Sequence, residues 1–124
     1  GRVEFTGWLC SARIQNLTAR NSLGVFPSRV ESFGLSVVEA MAAGLPVIAA
    51  SGGAVPENIE QGVTGTLVPV NDADALARAI IFILENVQHA ESMAKAAKIV
   101  VQQKFTWDKA ANKMIDLYEL HSDM

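Results

Sequence analysis

At 124 residues, half of them hydrophobic and 19% charged, the chain has enough apolar material to close one domain around a core, which argues against a disordered chain. Its formal net charge is −3 and no block of Lys or Arg interrupts it, so composition asks for neither a nucleic acid nor an anionic membrane as partner. The single cysteine, Cys10, excludes an internal disulfide and fits a reducing, cytoplasmic compartment, while His89 and His121 stand apart with no second Cys or His nearby, which argues against a zinc-type metal site.

In chain order, "VEFTG" alternates apolar and polar residues and predicts a short strand, Val3 to Thr6, with a loop at Gly7. Ser11 is placed to cap a helix running to about Arg20, with Ile14 and Leu17 on one face. "LGVFPS" predicts an apolar strand, Leu23 to Phe26, closed by Pro27. "FGLSVVEAMAAG" has helical spacing, with Val37, Val38, Met41, Ala42 and Leu45 as its apolar stripe. Gly44 ends that helix and Pro46 prevents its continuation. "PVIAA" reads as a buried strand, "GGAVPENI" as a tight turn and short helix, and "GTLVPV" as a strand between Gly65 and Pro69. Asn71 or Asp72 then caps a helix whose apolar face is Leu76, Ala77, Ile80, Ile83, Leu84 and Val87. Two more helices are expected, near Glu91–Gln103 and Thr106–Ser122. The alternation predicts an α/β fold: about four parallel strands with flanking helices, three layers, Rossmann-like, ending in helices.

In such sheets ligands bind at the carboxyl ends of the strands. The loops after Thr6, Phe26 and Ala49 should therefore bring Trp8, Glu31, Gly34, Gly52 and Gly53 to one edge. The helix beginning at Phe33–Leu35 starts on a bare glycine, Gly34. Its first N–H groups lack intrahelical partners and carry the positive end of the dipole, which suits an anion such as phosphate. Glu39 follows Leu35 by one turn, about 6 Å along the axis. A carboxylate there cannot favour phosphate, but it accepts hydrogen bonds from hydroxyls such as a ribose diol. Glu31, ahead of the helix, is placed for hydroxyls of a second sugar. Hydroxyls, diphosphate, hydroxyls is the pattern of a nucleotide sugar. Taken singly, Glu31 also fits a solvated carboxylate near a helix start, Glu39 a surface residue, Trp8 a packing residue, and the Gly52–Gly53 pair an ordinary turn.

The run from Pro27 to Ile80 resembles the donor-binding, C-terminal half of GT-B fold glycosyltransferases of the large retaining family 4. The matching features are Pro27-Ser28, the glutamates Glu31 and Glu39 with seven residues between them, Phe33-Gly34-Leu35, Glu39-Ala40-Met41-Ala42 and Gly44-Leu45-Pro46-Val47. Gly52-Gly53, Glu57 and Gly62-Val63-Thr64-Gly65 follow in order, and "FTW" and "LY" resemble the family's closing helix. The resemblance implies hexosyl transfer from a UDP-, GDP- or ADP-linked donor, with retention, at a front face and without a protein nucleophile. Glu31 is then the catalytic position, against hydroxyls of the transferred sugar. Backbone groups of Phe33, Gly34 and Leu35 contact the sugar and distal phosphate, Glu39 holds the ribose, and Gly7, Trp8 and Leu9 lie near the base. Gly52 and Gly53 complete the donor site. No metal or other cofactor is implied.

The same resemblance implies that an N-terminal acceptor domain and the first two strands of the donor half lie outside these 124 residues, so the chain alone is expected not to transfer sugar. Val3–Thr6 would then pair with Leu23–Phe26 or with a second copy. The last helix presents Trp107, Ala110, Ala111, Met114, Leu117 and Tyr118, and a homodimer or swapped oligomer is expected to cover it and the sheet edge. The parent enzyme would sit in the cytoplasm, free or peripheral at the inner membrane face. Two other readings stay open: a non-catalytic nucleotide-binding or protein-interaction remnant, and a fragment of a GT-B sugar phosphorylase or nucleotide-sugar epimerase.

Overall fold

The computed structural model describes residues 2–122, the side chains of 120–122 excepted. Six helices and three strands run in the order α1 (Ser11–Arg20), β1 (Gly24–Phe26), α2 (Leu35–Ala42), β2 (Val47–Ala50), α3 (Val55–Asn58), β3 (Thr66–Val68), α4 (Ala73–Glu85), α5 (Val87–Lys104) and α6 (Trp107–Ser122). The strands form one parallel sheet in the order β1-β2-β3, with Phe26 level with Ala49 and Ala49 level with Leu67.

The continuous apolar run of β2 is explained by its central place. Val47 and Ala49 enter a cluster with Val37, Val38, Met41 and Leu45 of the α2 region and Ala97 and Val101 of α5. Ile48 and Ala50 point the other way, into a cluster with Val68, Ile83 and Met93. A strand covered on both faces has no polar side to show. The three layers are thus α2, the sheet, and α4, with α5 contributing to both clusters, through Ala97 and Val101 on the α2 face and Ala90 and Met93 on the α4 face.

Helix α2 ends as Gly44 predicts. Gly44 is left-handed (φ 79), its N–H donates to the Met41 carbonyl, and the Leu45 N–H donates to the Ala40 carbonyl. This double closure satisfies carbonyls that the last turn would leave open. The α2 stripe is buried at Val37, Val38 and Met41 as expected, but Ala40 takes the place of Ala42, which is exposed. Asp72, of the two candidates, caps α4: its side chain accepts from the Ala75 N–H at 2.8 Å.

Four expectations change. Val3–Thr6 forms no strand, so the sheet has three strands among the described residues and that segment pairs with none of them. An extended stretch becomes a strand only by hydrogen-bonding to a neighbour, and here Val3 and Phe5 are 75% and 94% exposed. Cys10, not Ser11, is the N-cap of α1: its carbonyl accepts from Arg13 and Ile14, and Ser11 is already helical. Helix α5 starts at Val87 rather than Glu91, because Asn86 alone turns the chain; its N–H and its side-chain amide both donate to the Phe82 carbonyl. On α4, Ala77 and Leu84, with Val87 just beyond it, lie outside the apolar face and are exposed.

Candidate functional site

The loops after β1 and β2 meet backbone to backbone. A Cβ added to Gly52 would stand 2.1 Å from the Arg29 carbonyl oxygen, and one added to Gly53 would stand 2.1 Å from that of Glu31. Only glycine allows this approach. The Ala54 N–H donates to the Glu31 carbonyl at 2.9 Å and completes the clamp. Gly53 therefore packs against the backbone of the half-buried Glu31, and Gly52 against that of Arg29 two residues before it, so the pair fixes the loop that carries Glu31.

Two residues further on, Phe33 reaches the start of α2. Its ring meets Phe105 edge-on at 5.6 Å, and its carbonyl accepts from the Asn58 side-chain amide. Gly34, the N-cap of α2, is left-handed (φ 84, ψ 44) and has no side chain to cap the first turn. The Val38 N–H donates to the Gly34 carbonyl, but the N–H groups of Gly34, Leu35, Ser36 and Val37 donate to no described residue. Gly34 and Val37 are buried as residues, where backbone donors are ordinarily paired. The contrast with α4 is chemical: Asp72 fills the N-terminus of α4 with its own carboxylate, whereas that of α2 has no side chain to cap it, an arrangement that suits an external anion.

Further along α2, Ser36, Glu39, Ala40 and Ala43 share one face and line a cleft of about 630 Å³. The opposite wall is α1, with Ile14, Thr18 and Asn21 among its lining residues, and the floor includes Gly24 and Phe26 at the free edge of β1. Glu39 is exposed and lines the same cleft as Ser36 on its own helix and Ser11 and Gln15 of α1. Leu35 is exposed at the head of the same helix.

The structure thus brings together Glu31, Phe33, Gly34, Leu35, Gly52 and Gly53, and places Glu39 one turn away on the same helix. It does not bring Gly7 and Trp8 to them. Gly7 is left-handed with open space where a Cβ would lie, and Trp8 is 89% exposed and lines no part of the cleft. Asn58 was missed by sequence reasoning. Its one signal is a carboxamide directly ahead of the apolar Ile59 in "VPENI", and it is one of two buried polar residues among those described, with Thr64. The Thr64 hydroxyl accepts from the Glu60 N–H at 2.9 Å and closes the turn before β3. Among the described residues, no group of His, Cys, Asp and Glu is placed to hold a metal, and no helix is long and apolar enough to cross a membrane.

The family model for glycosyl transferases group 1 matches residues 1–100. The chain belongs to this family. It is 42% identical over 118 residues to a D-inositol 3-phosphate glycosyltransferase of Streptomyces coelicolor, across 95% of this chain and 24% of that protein. Among solved structures, a sucrose-phosphate synthase of Thermosynechococcus elongatus superimposes with a TM-score of 0.89 at 37% identity, over 99% of this chain and 31% of the other. The Anabaena protein HepE, solved with UDP and glucose, gives 0.84 at 31% identity, over 99% of this chain and 32% of the other. This group 1 chain spans about a fifth to a third of the length of the curated relatives it matches. Its parallel sheet between helical layers is the α/β arrangement of GT-B glycosyltransferases.

Proposed function

We propose that the chain carries the donor side of a retaining sugar-transfer site, binding a nucleotide diphosphate sugar without a metal or other cofactor. The observation that carries this reading is the uncapped, glycine-started N-terminus of α2 with Glu31 clamped just ahead of it and Glu39 one turn along it. The open N–H groups of Gly34 to Val37 suit the distal phosphate, where negative charge grows as the bond from the sugar's anomeric carbon to the diphosphate oxygen breaks. Glu31 takes hydroxyls of the transferred sugar, and Glu39 takes the ribose diol at the mouth of the cleft. The acceptor oxygen attacks from the face the diphosphate leaves, so no protein nucleophile is required. HepE, a neighbour solved with UDP and glucose, supports UDP as the first nucleotide to test.

Amide NMR titration with UDP-, GDP- and ADP-glucose, beside a Glu39→Ala variant, tests the reading. The expected result is that one nucleotide moves amides from Phe33 to Val37 and that the variant loses the response. An unmoved spectrum with all three at millimolar ligand would refute donor binding by this chain and favour a non-catalytic interaction module. We further propose that the apolar face of α6, where Trp107, Met114 and Tyr118 are exposed, is covered by protein, in the isolated chain by a second copy. A strictly monomeric light-scattering mass at high micromolar concentration would count against the dimer.

A further inference from the structure

Asn58 lies 25 residues from Phe33 in sequence, ends a four-residue helix, and is buried. Its contact there is unusually specific. A carbonyl oxygen can only accept, so the amide nitrogen of Asn58 must face Phe33. The bond falls on the peptide that joins Phe33 to Gly34, the unit immediately ahead of α2. A trans peptide is planar, and its C=O and N–H point in opposite directions. Fixing the Phe33 carbonyl towards α3 therefore turns the Gly34 N–H away from α3, to the open side of the helix start. Glycine permits the reverse orientation of that peptide at little cost, since it tolerates φ of either sign. In the reverse orientation the Phe33 carbonyl would replace the N–H at the anion position and repel a phosphate. α3 flanks this peptide without crowding it: a Cβ on Gly34 would lie at ordinary contact distances, 3.4 Å from Val55 Cγ2 and 3.8 Å from the Asn58 amide nitrogen.

We infer that Asn58 is a positioning residue for phosphate recognition: through the Phe33 carbonyl it holds the Gly34 N–H in the donating orientation. The inference rests on the donor-site reading for its ligand, while the orientation of the peptide is a property of the chain itself. Asn58 touches no substrate in this account.

The test uses the full 124-residue chain. In the unaltered protein, NMR should show a coupling across the hydrogen bond between the Asn58 side-chain nitrogen and the Phe33 carbonyl carbon. In Asn58→Leu, which removes the donor at similar volume, the Phe33 carbonyl resonance should move upfield and the Gly34 amide should shift. The UDP dissociation constant should rise about tenfold, the size expected for losing a donor to a charged acceptor. Asn58→Ser, which keeps a hydroxyl donor, should recover part of that loss and serves if Asn58→Leu fails to fold. No coupling in the unaltered chain, or a folded variant with the Gly34 amide unmoved and UDP affinity within about twofold, overturns the inference. Inorganic phosphate separates the two readings. If UDP, GDP and ADP all fail to bind but phosphate moves Gly34 only when Asn58 is present, the donor reading fails and the positioning role stands.

Discussion

Gly53→Ala is the most discriminating single change, because the structure gives its cost two separable parts. Gly53 has φ 58, and a Cβ there meets the Glu31 oxygen at 2.1 Å and the Glu31 nitrogen at 2.8 Å. The left-handed conformation costs an alanine roughly 1–2 kcal/mol. The contact is with backbone, which cannot rotate aside, so the loop must move by about an ångström, and overpacking of this kind costs roughly 1–3 kcal/mol. Moving the loop also weakens the hydrogen bond from the Ala54 N–H to the Glu31 carbonyl, worth about 1 kcal/mol. The sum is about 3–6 kcal/mol, a large share of the roughly 5–15 kcal/mol expected for a domain of this size. Two other glycines provide the partition. Gly62 has φ 75 with open space around it, so Gly62→Ala carries the conformational part alone. Gly52 meets the Arg29 oxygen at 2.1 Å without a positive φ, so Gly52→Ala carries the contact alone. Urea unfolding of the three variants should place Gly53→Ala as the most destabilised and Gly62→Ala as the least. If Gly53→Ala costs no more than Gly62→Ala, the two loops are not clamped and the placement of Glu31 argued above is wrong.

Met41 is fully buried between α2 and its neighbours, so Met41→Ala should cost about 2–5 kcal/mol in the same unfolding assay. Asp72→Ala removes the α4 cap and should cost about 1 kcal/mol, with Asp72→Asn losing much less. Trp8 is too exposed to support the fold, so Trp8→Ala should leave the melting temperature within measurement scatter; if the base stacks on it, UDP affinity measured by calorimetry should still fall by about 1–3 kcal/mol. Incubated with UDP-glucose and candidate acceptors, the 124-residue chain should transfer no sugar; product above the no-protein control would contradict that expectation.

The legible parts of the fold were those fixed within a few residues. Gly44 announces its left-handed helix end locally, and the unbroken apolar run of β2 states that both faces are covered. The glycine start of α2 and the spacing of Glu31 from Glu39 could likewise be read directly. What failed depended on partners elsewhere. Val3–Thr6 has strand-like alternation, yet alternation cannot supply a neighbour. The work done by Gly52 and Gly53 was invisible for the same reason: a glycine pair signals a turn, while the backbone it must admit belongs to a loop some twenty residues earlier. Asn58 was the hardest to see. A carboxamide in a short turn is ordinary, and only the approach of the Phe33 carbonyl gives it meaning.

The depth of the sheet has a kinetic consequence. Strands of three and four residues extend only about 10–13 Å, at roughly 3.3 Å per residue. Among the described residues, β2 alone is flanked by strands on both sides and buried at every position. Its amides have no route to solvent by local fraying, so they should exchange hydrogen only when the whole domain opens. Those of β1, at the free edge, should exchange through smaller and more frequent openings. The edge that lines the cleft is then, like β3 at the other edge, freer to breathe than the centre of the sheet, and Glu39 lines the cleft beside it.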